Sequence, residues 1–249
     1  MGLRLIKKLK VSGEGETLPR GTVSLLKLEN EGGSSSLEFF SRPETFLDIL
    51  KRVWKEAFPH RGLGKQVNAW RFRNIPNIWR GLRKIIAARL LRLPHHYGEL
   101  DLVVIRASGP AIRYGMASLR VVTTAGVNFI VDAFQNTVEV ENLKFHGIGT
   151  GTNAEAVGDT ALQTELTTQY NPDNTRATGS TTEGASANIY RTVGTNPVDA
   201  TVAITEHGIF SQAATGGGTL LDRSVFSVIN LVSGDSIQST YDLTFSSGG

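Results

Sequence analysis

His146 and His207 are the only histidines after Met116, and with a scatter of carboxylates and two glycine runs they are what that part of the chain offers for chemistry. Neither has a second histidine at metal-ligand spacing, and Glu206 beside His207 is a single carboxylate. His146, in Phe145-His146-Gly147-Ile148, reads as a buried, hydrogen-bonded core residue. Serine, histidine and aspartate are all present, but no Gly-x-Ser-x-Gly elbow marks a nucleophile. Glu139 and Glu141 would share one solvated face of a strand, and no calcium loop is present. Gly149-Thr150-Gly151-Thr152 lacks the Lys-Ser/Thr ending of a phosphate loop and its strand–turn–helix setting, so its glycines read as a tight loop with positive φ. Gly216-Gly217-Gly218 reads as a hairpin tip. The chain has no cysteine, which removes disulfides, thiolate metal sites and cysteine nucleophiles. The expectation is no catalytic residue, no cofactor-binding residue, no metal ligand and no enzyme.

The elements around these residues are strand-rich. Residues 124–135 read as a helix capped by Thr123 or Thr124, with Val127, Ile130, Val131 and Phe134 on one apolar face. Val138 to Leu143 reads as extended, and 159–166 as a helical turn with Asp159 at its N-cap and Leu162 and Leu166 inward. After the turn cluster Asn171-Pro172-Asp173-Asn174 the apolar period falls to about 2. Strands are expected at 175–181, 186–194 (with Gly184 at the bend between them), 200–211, 219–232 (broken by Asp222-Arg223) and 236–246. In the last, Ile237, Tyr241, Leu243 and Phe245 share a face. Turns every 8–12 residues or so point to an antiparallel β-sandwich or jelly roll with one packed helix.

Composition divides the chain near Met116. Residues 1–115 hold 21 of the 26 Lys and Arg and 10 of the 23 Asp and Glu; residues 116–249 hold 5 and 13. All three tryptophans, Trp54, Trp70 and Trp79, lie in the first part. Residues 22–28 read as a strand. Residues 45–57 read as a helix with Thr45 as N-cap and Phe46, Ile49, Leu50, Val53 and Trp54 on its apolar face. Residues 76–92 read as a basic amphipathic helix. Pro76 opens it, Pro94 follows it, and Ile78, Trp79, Leu82, Ile85, Ile86 and Leu90 oppose Arg80, Arg83 and Lys84. Its basic face, with Trp70-Arg71-Phe72-Arg73 before it, suits either solvent or an anionic partner. Met116-Ala117-Ser118 also suits a chain start, which leaves residues 1–115 as a basic arm, a small domain or an over-extended reading frame ahead of a domain at 116–249. No transmembrane helix is expected, and the basic start lacks the apolar run of a secretory signal.

The ordered segments VVTTAGVNFIVDAFQN, FHGIGTGTNAEAVGDTAL, ITEHGIF, TLLDRSVF and SGDSIQSTYDLTF resemble structural proteins of tailed bacteriophages over residues 117–249. The resemblance implies a non-enzymatic virion component, such as a capsid decoration or head protein or a tail or fibre-attachment protein. It implies location in the virion, other virion proteins as partners and a homo-oligomer, and it carries no catalytic residues. Two alternatives stand beside it. One is a carbohydrate- or surface-binding sandwich, whose aromatic platform would have to come from Tyr170, Tyr190 and Tyr241 with several phenylalanines, since residues 117–249 have no tryptophan. The other is nucleic-acid binding, through residues 1–115 alone.

Overall fold

The computed structural model describes residues 4–8, 23–29, 35–41, 46–120 and 122–246, with side chains from Leu47 onward. Two compact units divide between Ile49 and Leu50. The first contains a three-stranded antiparallel sheet in the order β1 (Arg4–Lys8), β2 (Val23–Glu29), β3 (Ser35–Ser41). β2 matches the strand expected at 22–28; Thr45 lies outside the described residues.

Helix α1 (Phe46–Ala57) leads into the second unit, which continues with α2 (Lys65–Leu90), β4 (His95–Ile105), β5 (Ile112–Arg120) and α3 (Thr124–Phe134). Then come β6 (Phe145–Gly149), β7 (Ala177–Thr178), β8 (Ser180–Glu183), β9 (Ile189–Pro197), β10 (Val202–Phe210), β11 (Leu220–Leu231) and β12 (Ser236–Ser246). The fold is mainly β, and the strands of this unit form two antiparallel sheets, β11-β10-β6-β7 and β5-β4-β12-β9-β8. Leu100, Leu102 and Val104 of β4 meet Ile148 of β6, Ile204 of β10 and Phe226, Ile229 and Leu231 of β11 in one core cluster, which joins the sheets as a sandwich.

The composition change at Met116 is therefore not a structural boundary. Met116 is fully buried within β5 and pairs with Asp101 of β4. β4 lies between β5 and β12 and is in register with β12 from Ile105↔Ser236 to His95↔Ser246. Neither β4 nor β5 is anticipated above, although Leu100, Leu102 and Val104 alternate with Asp101, Val103 and Ile105 at strand period. The basic excess belongs to the segment that supplies these strands and the two helices: residues 50–115 hold 14 Lys and Arg against 3 Asp and Glu.

Helix α2 starts eleven residues before the expected helix and carries Pro76 inside it. The missing N–H costs an intrahelical bond, but Pro76 lies on the exposed side and the helix is held from the other. Trp70, Asn74, Ile78, Leu82 and Ile85 are buried, and α2 packs on β5 and β11. Trp70 Nε1 donates to Ser227 O at 2.6 Å, and Asn74 Nδ2 to Ala117 O at 2.8 Å. Buried Arg71 donates to the carbonyls of Tyr114, Lys55 and Phe58, tying α1 and α2 to β5. Helices α1 and α2 thus fall where helices are expected at 45–57 and 76–92, α3 is the helix expected within the strand-rich domain, and α2 packs on the sandwich as well. Trp54 and Trp79, expected on apolar faces, are exposed.

Helix α3 is capped as expected: the Thr123 hydroxyl accepts from Gly126 N at 3.0 Å and donates to Leu220 O at 2.6 Å. Two expected elements differ. Residues 140–142 form a 3-10 turn, not a strand, so Glu139 and Glu141 are exposed around it and share no strand face. Residues 159–166 form no helix; Asp159 accepts from Ala156 N and Arg223 Nη1, and Leu162 and Leu166 are buried as expected. β11 runs unbroken through Asp222 and Arg223, both buried.

Candidate functional site: buried polar groups and an apolar groove

Polar side chains cross the middle of the sandwich between two apolar clusters. Along β10, Ile204 belongs to one cluster and Ile209 to the other, with His207 between them; along β12, Ile237 and Leu243 flank Ser239. The fold brings His146 and His207 together across 61 residues, with His146 Nδ1 3.0 Å from His207 Nε2. His146 Nε2 lies 3.1 Å from Thr192 Oγ1 of the other sheet. Gly194 admits the His146 ring: a Cβ there would lie 2.4 Å from Cδ2. Both histidines are buried, as expected for His146, but they form a pair that spacing along the chain does not reveal. Burial pushes His146 down to about 3 and holds His207 well below the ordinary imidazole range, where His146 adds repulsion. The pair is neutral at physiological pH.

Asp222 lies opposite Ile209 and receives the Ser224 hydroxyl at 3.2 Å. Its Oδ2 and the Tyr241 hydroxyl face Gly98, where a Cβ would lie 2.7 Å from each. Burial lifts Asp222 to about 7, partly opposed by Arg120, and lifts the Tyr241 hydroxyl well above its usual range. Arg120, itself lowered to about 10 by burial, pairs with Glu155 at 2.9 Å.

On the far side of β10, Glu206 is fully buried and fastens the glycine loop. It accepts from the backbone N–H of Gly151 at 2.9 Å, Gln163 at 3.0 Å and Thr164 at 2.8 Å, and from Arg223 Nε at 2.8 Å. Arg223 also reaches Asp159 at 3.0 Å and Asn153 Oδ1 at 2.6 Å. Gly149 and Gly151 are absent from the positive-φ glycines; they are small because the packing is close. A Cβ on Gly149 would meet Thr164 O at 2.4 Å, and one on Gly151 would meet Glu206 Oε1 at 2.5 Å. Gly216 and Gly218 do have positive φ, as a hairpin tip requires. Arg176 holds that tip through Gly217 O at 2.8 Å, grips Glu165 through two oxygens at 2.5 and 2.8 Å, and stacks 3.5 Å over the Phe210 ring. These contacts make a largely buried carboxylate–guanidinium framework in which each charge has a partner.

Among the described residues, no group of three or more His, Cys, Asp or Glu is placed to hold a metal ion. Tyr170 and Tyr241 are buried, and the half-buried Tyr190 donates to Leu143 O at 2.9 Å. No described helix is long and apolar enough to cross a membrane.

A groove of about 720 Å³ opens between α3, the 3-10 turn and the ends of β8, β9 and β12. Leu143, Tyr190, Leu221 and Leu243 line its base, and Phe134, Val140 and Phe245 stand exposed around it with Glu141 and Glu183. Val131 and Phe134, expected to face the core, are exposed, whereas Val127 and Ile130 pack inward.

No protein-family model, curated protein or solved structure matches this chain.

Proposed function

We propose that this chain is a non-enzymatic structural component of a tailed-phage virion, of the capsid-decoration, head, or tail and fibre-attachment kind. The observation that supports this reading is where the segments resembling such proteins lie. ITEHGIF is within β10, LLDRSVF within β11 and the closing run in β12, while the Gly-Thr run follows β6. Their polar residues bond to one another: Glu206 to Arg223, His146 to His207, and Asp222 to Ser224. Residues selected in this way serve a rigid scaffold rather than a reacting centre. The partners are other virion proteins and further copies of the chain.

The test is peptide mass spectrometry of purified particles from the source that encodes the chain. Its peptides are expected at a copy number commensurate with a symmetric shell or tail. Particles lacking the chain while infected cells contain it would overturn the assignment.

A further inference from the structure

We infer that this chain assembles head to tail with copies of itself, the outer face of α2 of one copy seating in the α3–β8–β12 groove of the next. This rests on the structural-subunit reading, which it extends by naming the two surfaces.

The outer face of α2 inverts the usual pattern. Its inner side, Trp70, Asn74, Ile78, Leu82 and Ile85, is buried. Half a turn away, Phe72, Pro76, Trp79 and Leu90 recur at helical spacing, with Phe72 69% and Trp79 54% exposed. Arg73, Arg83 and Lys84 are exposed beside them. Both aromatics project from a helix held at Trp70, Asn74 and Ile78, about 10 Å apart along its axis. This is the geometry of a helix that lays apolar anchors into a groove.

The groove has the complementary character. Its base is apolar, Phe134 beside it is 85% exposed, and its exposed charged lining residues are Glu141 and Glu183. A basic aromatic helix face and an acid-lined apolar groove on one body match in both charge and chemistry. The two surfaces share no residue, so each copy presents one of each, and the contact is heterologous. Such contacts close into rings or continue as arrays. Single-stranded nucleic acid would also suit exposed aromatics among cations, but it would leave the groove empty.

Sedimentation of the full chain at low ionic strength, with variants of exposed residues, tests the inference. The wild-type chain is expected to form species larger than dimers that dissociate as salt is raised. Phe72→Ala with Trp79→Ala, and separately Phe134→Ser with Glu183→Arg, should each weaken association by about 30-fold or more. An equimolar mixture of the two variants should recover dimers and stop there, since one intact helix face and one intact groove remain. A monomeric wild-type chain, or a variant that assembles like the wild type, would overturn the inference. So would loss of single-stranded DNA binding in the Phe72/Trp79 variant with no change in mass. Particle composition plays no part in this readout, so the virion assignment and the contact can fail separately.

Discussion

The second unit buries charged and polar side chains beside its apolar core, while large aromatics stand on its surface. His146, His207 and Asp222 are buried between the sheets and Glu206, Arg223 and Arg176 on the far side of β10, while Phe72, Trp79 and Phe134 stand exposed. The difference teaches what each group is for. A buried charge needs partners to offset its desolvation, and Glu206 has four donors. Among the described residues nothing covers these exposed aromatics, and association would remove them from water. Interior substitutions should therefore act on folding, and exterior ones on assembly.

The largest expected effect comes from removing strands. A chain beginning at Met116 lacks β4, which leaves β5 without its partner and β12 with an open edge. It should show no cooperative thermal transition. Next comes Glu206→Ala, which takes from Arg223 its fully buried carboxylate partner and strands three loop N–H groups; chemical denaturation should show a loss of about 3–5 kcal/mol. Replacing Arg176 with methionine keeps some contact with Phe210 but leaves Glu165 unpaired, and a smaller loss of about 1–3 kcal/mol is expected.

The interior also has a pH signature. The unfolded chain takes up protons on His146 and His207 below about pH 6.5, whereas the folded chain does not until far lower, so acidification weakens the fold. Asp222, at about 7, and Asp101, lifted by burial to about 6, oppose this by holding protons in the folded state over the same window. Asp222→Asn removes one of the opposing protons. Its stability should fall more steeply from pH 7 to pH 5 than that of the wild type, by up to about 1.4 kcal/mol per pH unit. Above pH 7 the variant should be the more stable of the two, because the wild type must then ionise a buried carboxyl. Melting curves across this range check both signs.

The strands from Val202 onward were legible because apolar residues alternate and Ser233-Gly234-Asp235 marks a turn, with Gly234 at positive φ. β4 alternates in burial from Leu100 to Ile105, whereas β5 is buried at every position from Tyr114 to Arg120, and the abrupt charge change at Met116 masks both. Charge reports on surfaces, whereas strand pairing follows the buried face. Asp222-Arg223 looked like a strand break because two adjacent charges rarely sit inside; their partners, Ser224, Glu206 and Asp159, are not all neighbours in sequence. The His146–His207 contact was likewise hidden, since antiparallel register, not spacing, places His207 beside Ile148 and Ile209 beside His146. The exposed side of α2 was misread because Pro76 looked like a beginning.

The most direct test measures both properties on the same two proteins: melting temperature and sedimentation mass for Glu206→Ala and for Phe72→Ala with Trp79→Ala. The first should melt far below the wild type. The second should melt within a few degrees of it but lose its larger species. An aromatic variant that unfolds as readily as the Glu206 variant, or one that keeps full assembly, would contradict the division between a polar interior that holds the fold and an apolar exterior that joins copies.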